Sequence, residues 1–156
     1  MTARNPQQTR ERLLQTAFQE IHAHGFQGMR VDEVLRLSGL QKGAFYHHFG
    51  SKADLGYAVL EESIRPLVES VWLKPLADVE DPIRDLPRLL DDLGERIPPA
   101  MRRHGCPLNN LAQEMASQDE EFRQRIARLF TSWIEAFEAV FEQGKASGHI
   151  RDDIDS

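Results

Sequence analysis

Between Gly28 and Leu55 the sequence reads GMRVDEVLRLSGLQKGAFYHHFGSKADL, and this stretch leaves few folds open. Val31, Val34 and Leu35, with Leu37 beside them, fall on one side of a helical wheel, and Asp32, Glu33 and Arg36 fall on the other. The pattern stops at Ser38-Gly39, where a glycine can take the left-handed backbone that a sharp reversal needs. Three residues, Gly39-Leu40-Gln41, separate it from a second short helix. In that helix Leu40, Phe45 and Phe49 pack inward, while Lys42, Gly43, Ala44, Tyr46, His47 and His48 face out.

A helix, a tight turn and a helix with a cationic, small and aromatic outer face suit a helix-turn-helix. The second helix of that motif enters a major groove about 12 Å wide, so its leading residues must be short enough for close approach or long enough to reach base edges. Gly43 and Ala44 are short, and Lys42 is long. Tyr46, His48 and Lys52 are placed to donate to phosphates beside the groove, contacts that set register without reading sequence. Ser51-Lys52 opens the next helix, whose first amides and partial positive charge favour a phosphate. The same pattern also fits one hairpin of an all-α domain with an aromatic core.

The segment KGAFYHHFGSKADL, preceded by VDEV and SGL at these spacings, resembles the DNA-binding signature of the TetR family of bacterial repressors, from about Thr9 to Leu60. The resemblance implies an all-α fold: an N-terminal three-helix DNA-binding domain, residues 1–56, then a helical ligand-sensing and dimerisation domain, residues 57–156. It also implies a double-stranded DNA operator as partner and a homodimer as the working unit. Arg30 stands where the family usually has a capping Ser or Thr, and is placed to reach a phosphate or a base from the groove edge. Gln41 replaces another such cap, and Leu35 a small residue. The DNA-contacting set carried over is therefore Arg30, Lys42, Gly43, Ala44, Tyr46, His47, His48 and Lys52.

A net charge of −6 looks unsuited to a nucleic-acid binder until it is divided along the chain. Residues 1–56 hold seven Lys or Arg against five acids, a balance of +2, and four of the six histidines. Residues 57–156 hold 12 against 20, a balance of −8, so an acidic body stands behind a mildly basic head. No run reaches the roughly 18 apolar residues of a membrane span and no apolar leader opens the chain, so the expected location is the cytoplasm. One cysteine rules out an internal disulfide and a cysteine-based zinc site, and the histidines have no ligand spacing. No metal and no cofactor are expected.

Taken in order, residues 1–8 are polar and read as disordered. From Thr9, Leu13, Leu14, Ala17, Phe18 and Ile21 repeat at helical spacing, Gly25 closes that helix, and Phe26 covers its end. Arg4, Arg10 and Arg12 at its start either lie along DNA or are simply solvated. A long helix from Lys52 to about Leu73 is expected to kink at Pro66, and residues 74–81 read as a loop. Asp81-Pro82 caps a helix that Pro87 interrupts and Pro98-Pro99 breaks, with a further turn at 100–103. Ser117 to Glu120 has the form of a capping box ahead of the longest helix, which Lys145 and Gly148 end. Against the family pattern the chain stops one helix early, which implies either a shortened body or another mode of dimerisation.

Cys106 is the one residue with reaction chemistry in reach. It caps a helix that begins at Pro107, and Arg102, Arg103 and His104 precede it, an arrangement that favours a thiolate; a small buried hydrophobe is the equal alternative. GCPLNNLAQEM and the helix after it resemble the regulatory domain of a TetR branch that includes the N-ethylmaleimide-responsive repressor, where a cysteine at the matching place senses electrophiles or oxidants. A noncovalent inducer pocket is the second route, with Met101, Leu108, Met115, Phe130, Trp133 and Phe137 as candidate lining, though such stripes are more often plain core. Two other classes stand beside a regulator: a cysteine enzyme using Cys106, for which only His104 is near and no triad is completed, and a helical dimerisation module, which leaves the Lys42–His48 face unexplained.

Overall fold

A computed structural model describes residues 5–154, and within them all but the side chain of Arg96. Among the described residues the fold is entirely helical: α1 (Pro6–Gly28), α2 (Val31–Ser38), α3 (Lys42–His48), α4 (Lys52–Val59), α5 (Arg65–Val68), α6 (Lys74–Ala77), α7 (Pro82–Arg96), α8 (Pro99–His104), α9 (Pro107–Met115) and α10 (Glu120–Ala146). They form two compact units. One joins the chain through Arg65 to His104–Ile126; the other joins Pro66–Arg103 to the chain from Ala127 onward.

In the first unit α1 is the central post, with α2, α4 and α9 packed on it. It starts at Pro6, three residues before the expected Thr9, because Asn5 caps it by accepting from the Gln7 N–H at 3.1 Å. Gly25, at φ 77°, breaks the helix as expected, and a further turn then carries the chain to Gly28. Leu13, Ala17, Met29, Val34, Leu55, Val59 and Leu60 are fully buried around the post, all but Ala17 worth roughly 1.5–3 kcal/mol each of apolar transfer. Phe122, from the start of α10, fills the same core edge-on to Phe26, with ring centres 4.9 Å apart. Leu37 corrects the wheel: it is 49 % exposed, and the buried fourth position is Ser38.

The segment from Lys52 on runs past its expected end at about Leu73 and takes up the first part of the expected 74–81 loop. It stays helical to Ala77, and the chain absorbs its prolines as two π-turns, Leu60–Ile64 and Glu69–Leu73. Each ends just before a proline, Pro66 and Pro75. A proline removes one N–H and crowds the carbonyl four residues back, and widening the turn to the fifth residue relieves both. The Arg65 N–H accordingly bonds the Leu60 carbonyl, and the Lys74 N–H that of Glu69.

The second unit is organised on Leu76, Val79 and Val140, with Leu86, Leu89, Trp133 and Phe137 against them. Helix α7 begins at the expected Asp81 cap, which accepts from Ile83 and Arg84, but it runs through Pro87 without interruption. Pro87 is exposed, so water can take the bond its ring cannot make. The break comes at Ile97-Pro98, and α8 follows as expected. Helix α10 is capped by Asp119, which accepts the Phe122 N–H at 2.9 Å, rather than by Ser117; the cap lies two residues later, and with Phe122 at the third helical position there is no capping box. Gly148, at φ 74°, turns the chain after its end.

Candidate nucleic-acid interface

Gly39 sits in the left-handed region (φ 64°, ψ 28°), and the Leu40 N–H reaches back to the Leu35 carbonyl at 3.0 Å, closing α2 with the reversal expected of a glycine cap. Phe45 and Phe49 are buried beneath α3, 1 % and 4 % exposed, so the opposite side of α3 is held outward. That side carries exposed Lys42, Gly43, Tyr46 and His47, with Ala44 and His48 half-buried. A methyl group added at Gly43 would meet nothing within 4 Å, so the surface there is open to close approach.

Pro6 and Thr9 of α1 face Gln41, Gly43, Ala44, His47 and His48 of the turn and α3 across a groove of about 480 Å³. The rings of His47 and His48 lie 4.9 Å apart, edge to face. Burial, helped by His47 and Arg10, pulls the His48 pKa below its ordinary value. Sequence reading missed Pro6, Thr9 and Gln41 as walls of this surface, since nothing local places α1 beside α3.

Several expected cations are engaged within the fold. Arg10 pairs with Glu62 and stands 5.2 Å over the Phe49 ring. Arg12 donates to the Ser38 carbonyl at 2.5 Å, and Arg36 pairs with Glu33 on its own helix. Lys52 donates to the Gln27 carbonyl at 3.1 Å and lies 4.9 Å over the Phe26 ring, so one of its three donors is used and two remain. Ser51 caps α4 as expected, but Asp54 covers its first turn: the Ser51 hydroxyl donates to the Asp54 carboxylate at 2.8 Å and accepts the Asp54 N–H at 3.0 Å. A carboxylate at that end competes with a phosphate. Arg30 and Lys42 are exposed, with no hydrogen bond or ion pair among the described residues, and Arg30 makes no cap bond. Arg4 lies outside the described residues.

The candidate sensor residues separate. Cys106 is half-buried at the cap of α9 and makes no side-chain cap bond. Next to it, His22 of α1 meets the Gly105 carbonyl at 2.8 Å, and Asn110 donates to the His104 carbonyl at 2.6 Å. Arg102 is spent on the carbonyls of Ile97 and Glu95 at the end of α7. Of the candidate lining, Leu108 and Met115 are buried in the first unit, while Met101, Phe130, Trp133 and Phe137 are half-buried in the second. Trp133 packs on Trp72, a neighbour absent from the expected set, with ring centres 4.8 Å apart, and its buried indole N–H has no acceptor among the described residues.

The family model for bacterial regulatory proteins of the tetR family matches residues 13–59, and the model for the tetracyclin repressor-like C-terminal domain matches 83–156. The chain belongs to the TetR family. Transcriptional regulator AcuR from Cereibacter sphaeroides is 29 % identical over 154 residues, covering 92 % of this TetR-family chain and 65 % of its own length. The chain thus spans about two thirds of that relative. The repressor NemR from Escherichia coli is 47 % identical over 53 residues only, 34 % of this chain and 27 % of NemR. A TetR-family regulator from Agrobacterium tumefaciens superposes with a TM-score of 0.77 at 26 % identity, over 92 % of this chain and 75 % of that one. These relatives are transcriptional regulators, which sets aside the cysteine-enzyme reading.

Proposed function

We propose that this TetR-family protein is a cytoplasmic repressor that binds a palindromic operator as a homodimer and is released by a small molecule or by modification of Cys106. The observation that carries the DNA-binding part is the outer face of α3, where Lys42 is exposed and unpaired beside an open Gly43, above a buried Phe45 and Phe49. Such a face admits close approach at Gly43 and leaves Lys42 long enough to reach a guanine edge. In a two-fold dimer the two copies of α3 read half-sites one DNA turn apart, about 34 Å, or a multiple of it. A gel shift with the DNA flanking the protein's own gene, alongside sedimentation of the full chain, tests this: a discrete complex with two protomers per duplex is expected, and a monomer that retards no DNA rejects it.

Two observations support a signal entering away from α3. The helix that Cys106 opens packs on α1, so a bulky adduct at the cap would press on a core helix of the DNA-binding head. Trp133, beside Trp72, supports the noncovalent route, because its buried indole N–H finds no acceptor among the described residues and is able to donate to a ligand carbonyl. N-Ethylmaleimide treatment of wild type and Cys106→Ser separates the routes. Loss of the DNA complex in wild type alone assigns the response to the thiol; full alkylation with unchanged affinity removes it and leaves the noncovalent route.

A further inference from the structure

The segment Gly25-Phe26-Gln27, where α1 breaks, is gripped from several helices of the first unit. Both oxygens of Glu114, on α9, are used there: Oε2 accepts the Phe26 N–H at 2.7 Å and Oε1 accepts the Gln27 N–H at 2.8 Å. Gly25 makes this approach possible. Its φ is +77°, and a Cβ there would stand 2.8 and 2.9 Å from the two carboxylate oxygens. The Gln27 carbonyl and the Phe26 ring are in turn the two anchors of Lys52, at 3.1 Å and 4.9 Å. Phe122 backs the Phe26 ring from the other side.

We propose that Glu114 is a positioning residue for DNA binding: by fixing Phe26 and Gln27 it sets where Lys52 presents its ammonium group to the phosphate backbone. The inference rests on the DNA-binding reading above. Without the Glu114 carboxylate, two N–H groups lose their acceptors, the 25–27 turn loses the partner that fixes it, and both anchors of Lys52 move together. Burial lowers the Lys52 pKa from its ordinary value, and the Glu114 carboxylate opposes that fall. Because Glu114 lies on the helix that Cys106 opens, the position of α9 is felt at a phosphate contact without any movement of α3.

The test is a double-mutant cycle on operator affinity, its salt slope and thermal stability, using Lys52→Ala, Glu114→Ala, Glu114→Gln and each pair combined. Lys52→Ala should lower the magnitude of the salt slope by about one unit per head, about two for a dimer on its operator. Glu114→Ala should lower it by a similar amount, and adding it to Lys52→Ala should cost no further affinity. Glu114→Gln keeps the shape and one acceptor oxygen, so it should fall between and carry the same test if the alanine variant does not fold. Losses that multiply, with the Glu114 variants leaving the slope unchanged, would assign Glu114 to stability alone and overturn the proposal. An unchanged slope for Lys52→Ala also overturns it, and Lys42→Ala then decides whether the DNA-binding reading falls as well.

Discussion

Arg12 on α1 donates from Nη2 to the backbone carbonyl of Ser38 at 2.5 Å, placing a cation from one helix on the C-terminal end of another. The reversal at Gly39 satisfies the carbonyls of Leu35 and Arg36 but leaves that of Ser38 to Arg12. A positive charge at this end also complements the helix dipole. The contact therefore fixes the turn that aims α3.

Arg12→Ala should lower thermal stability by roughly 1 kcal/mol, the usual size of one charged hydrogen bond at a partly exposed site. Operator affinity should fall by more than that stability loss explains, because the turn and not only the core is loosened. Melting curves and binding isotherms on the same preparation compare the two, and an unaltered affinity would show that the turn holds without Arg12.

Two glycines should behave in opposite ways. A Cβ at Gly56 would lie 2.4 Å from the Phe26 ring and 2.8 Å from that of Phe122, so Gly56→Ala should destabilise the head by about 1–3 kcal/mol through overpacking. Gly43→Ala meets no atom within 4 Å and removes a flexible residue from a helix, so stability should rise by up to about 1 kcal/mol. The same methyl group blocks close approach to DNA, and operator affinity should fall. A Gly43→Ala variant that is more stable and binds as well as wild type would mean that this surface does not enter the groove.

Tyr57 donates to both carboxylate oxygens of Asp119, at 2.9 and 3.0 Å. Burial first, and then that bond to an anion, push its pKa up to about 12. A raised folded-state pKa means the contribution to stability is whole below the unfolded value of about 10 and is lost as pH climbs towards 12. Absorbance titration at alkaline pH should show a phenol component with a midpoint near 12 that Tyr57→Phe removes. A wild-type titration finished near pH 10.5 would contradict the Tyr57–Asp119 contact.

The head was legible in the sequence because its signals are local. Gly39, Phe45 and Phe49 announce a turn and a buried side within a few residues of each other, and periodicity does the rest. The engagement of Arg10, Arg12 and Lys52 was not legible, since their partners Glu62, Ser38 and Gln27 lie 52, 26 and 25 residues away and charge alone does not say whether a cation is spent. Pro87 misled for a different reason. Proline reports a lost hydrogen bond, but whether the chain kinks, widens into a π-turn or runs on depends on what surrounds it. Asp119 displaced Ser117 as the α10 cap because its carboxylate is also held by Tyr57, a contact 62 residues away that no capping pattern contains.

The charge inventory sets a number for the central claim. With Arg30 and Lys42 unpaired and Lys52 keeping two donors, each head offers two to three cations to phosphate or base, so log affinity against log salt should have a slope of about −2 to −3 per head and about twice that for a dimer on its operator. Fluorescence anisotropy with a duplex from the DNA flanking the protein's own gene, at four or five salt concentrations, measures the slope for wild type and Lys42→Ala. Lys42→Ala should lose roughly 1–3 kcal/mol on the operator and far less on an unrelated duplex. Equal binding of both proteins to both duplexes would contradict it.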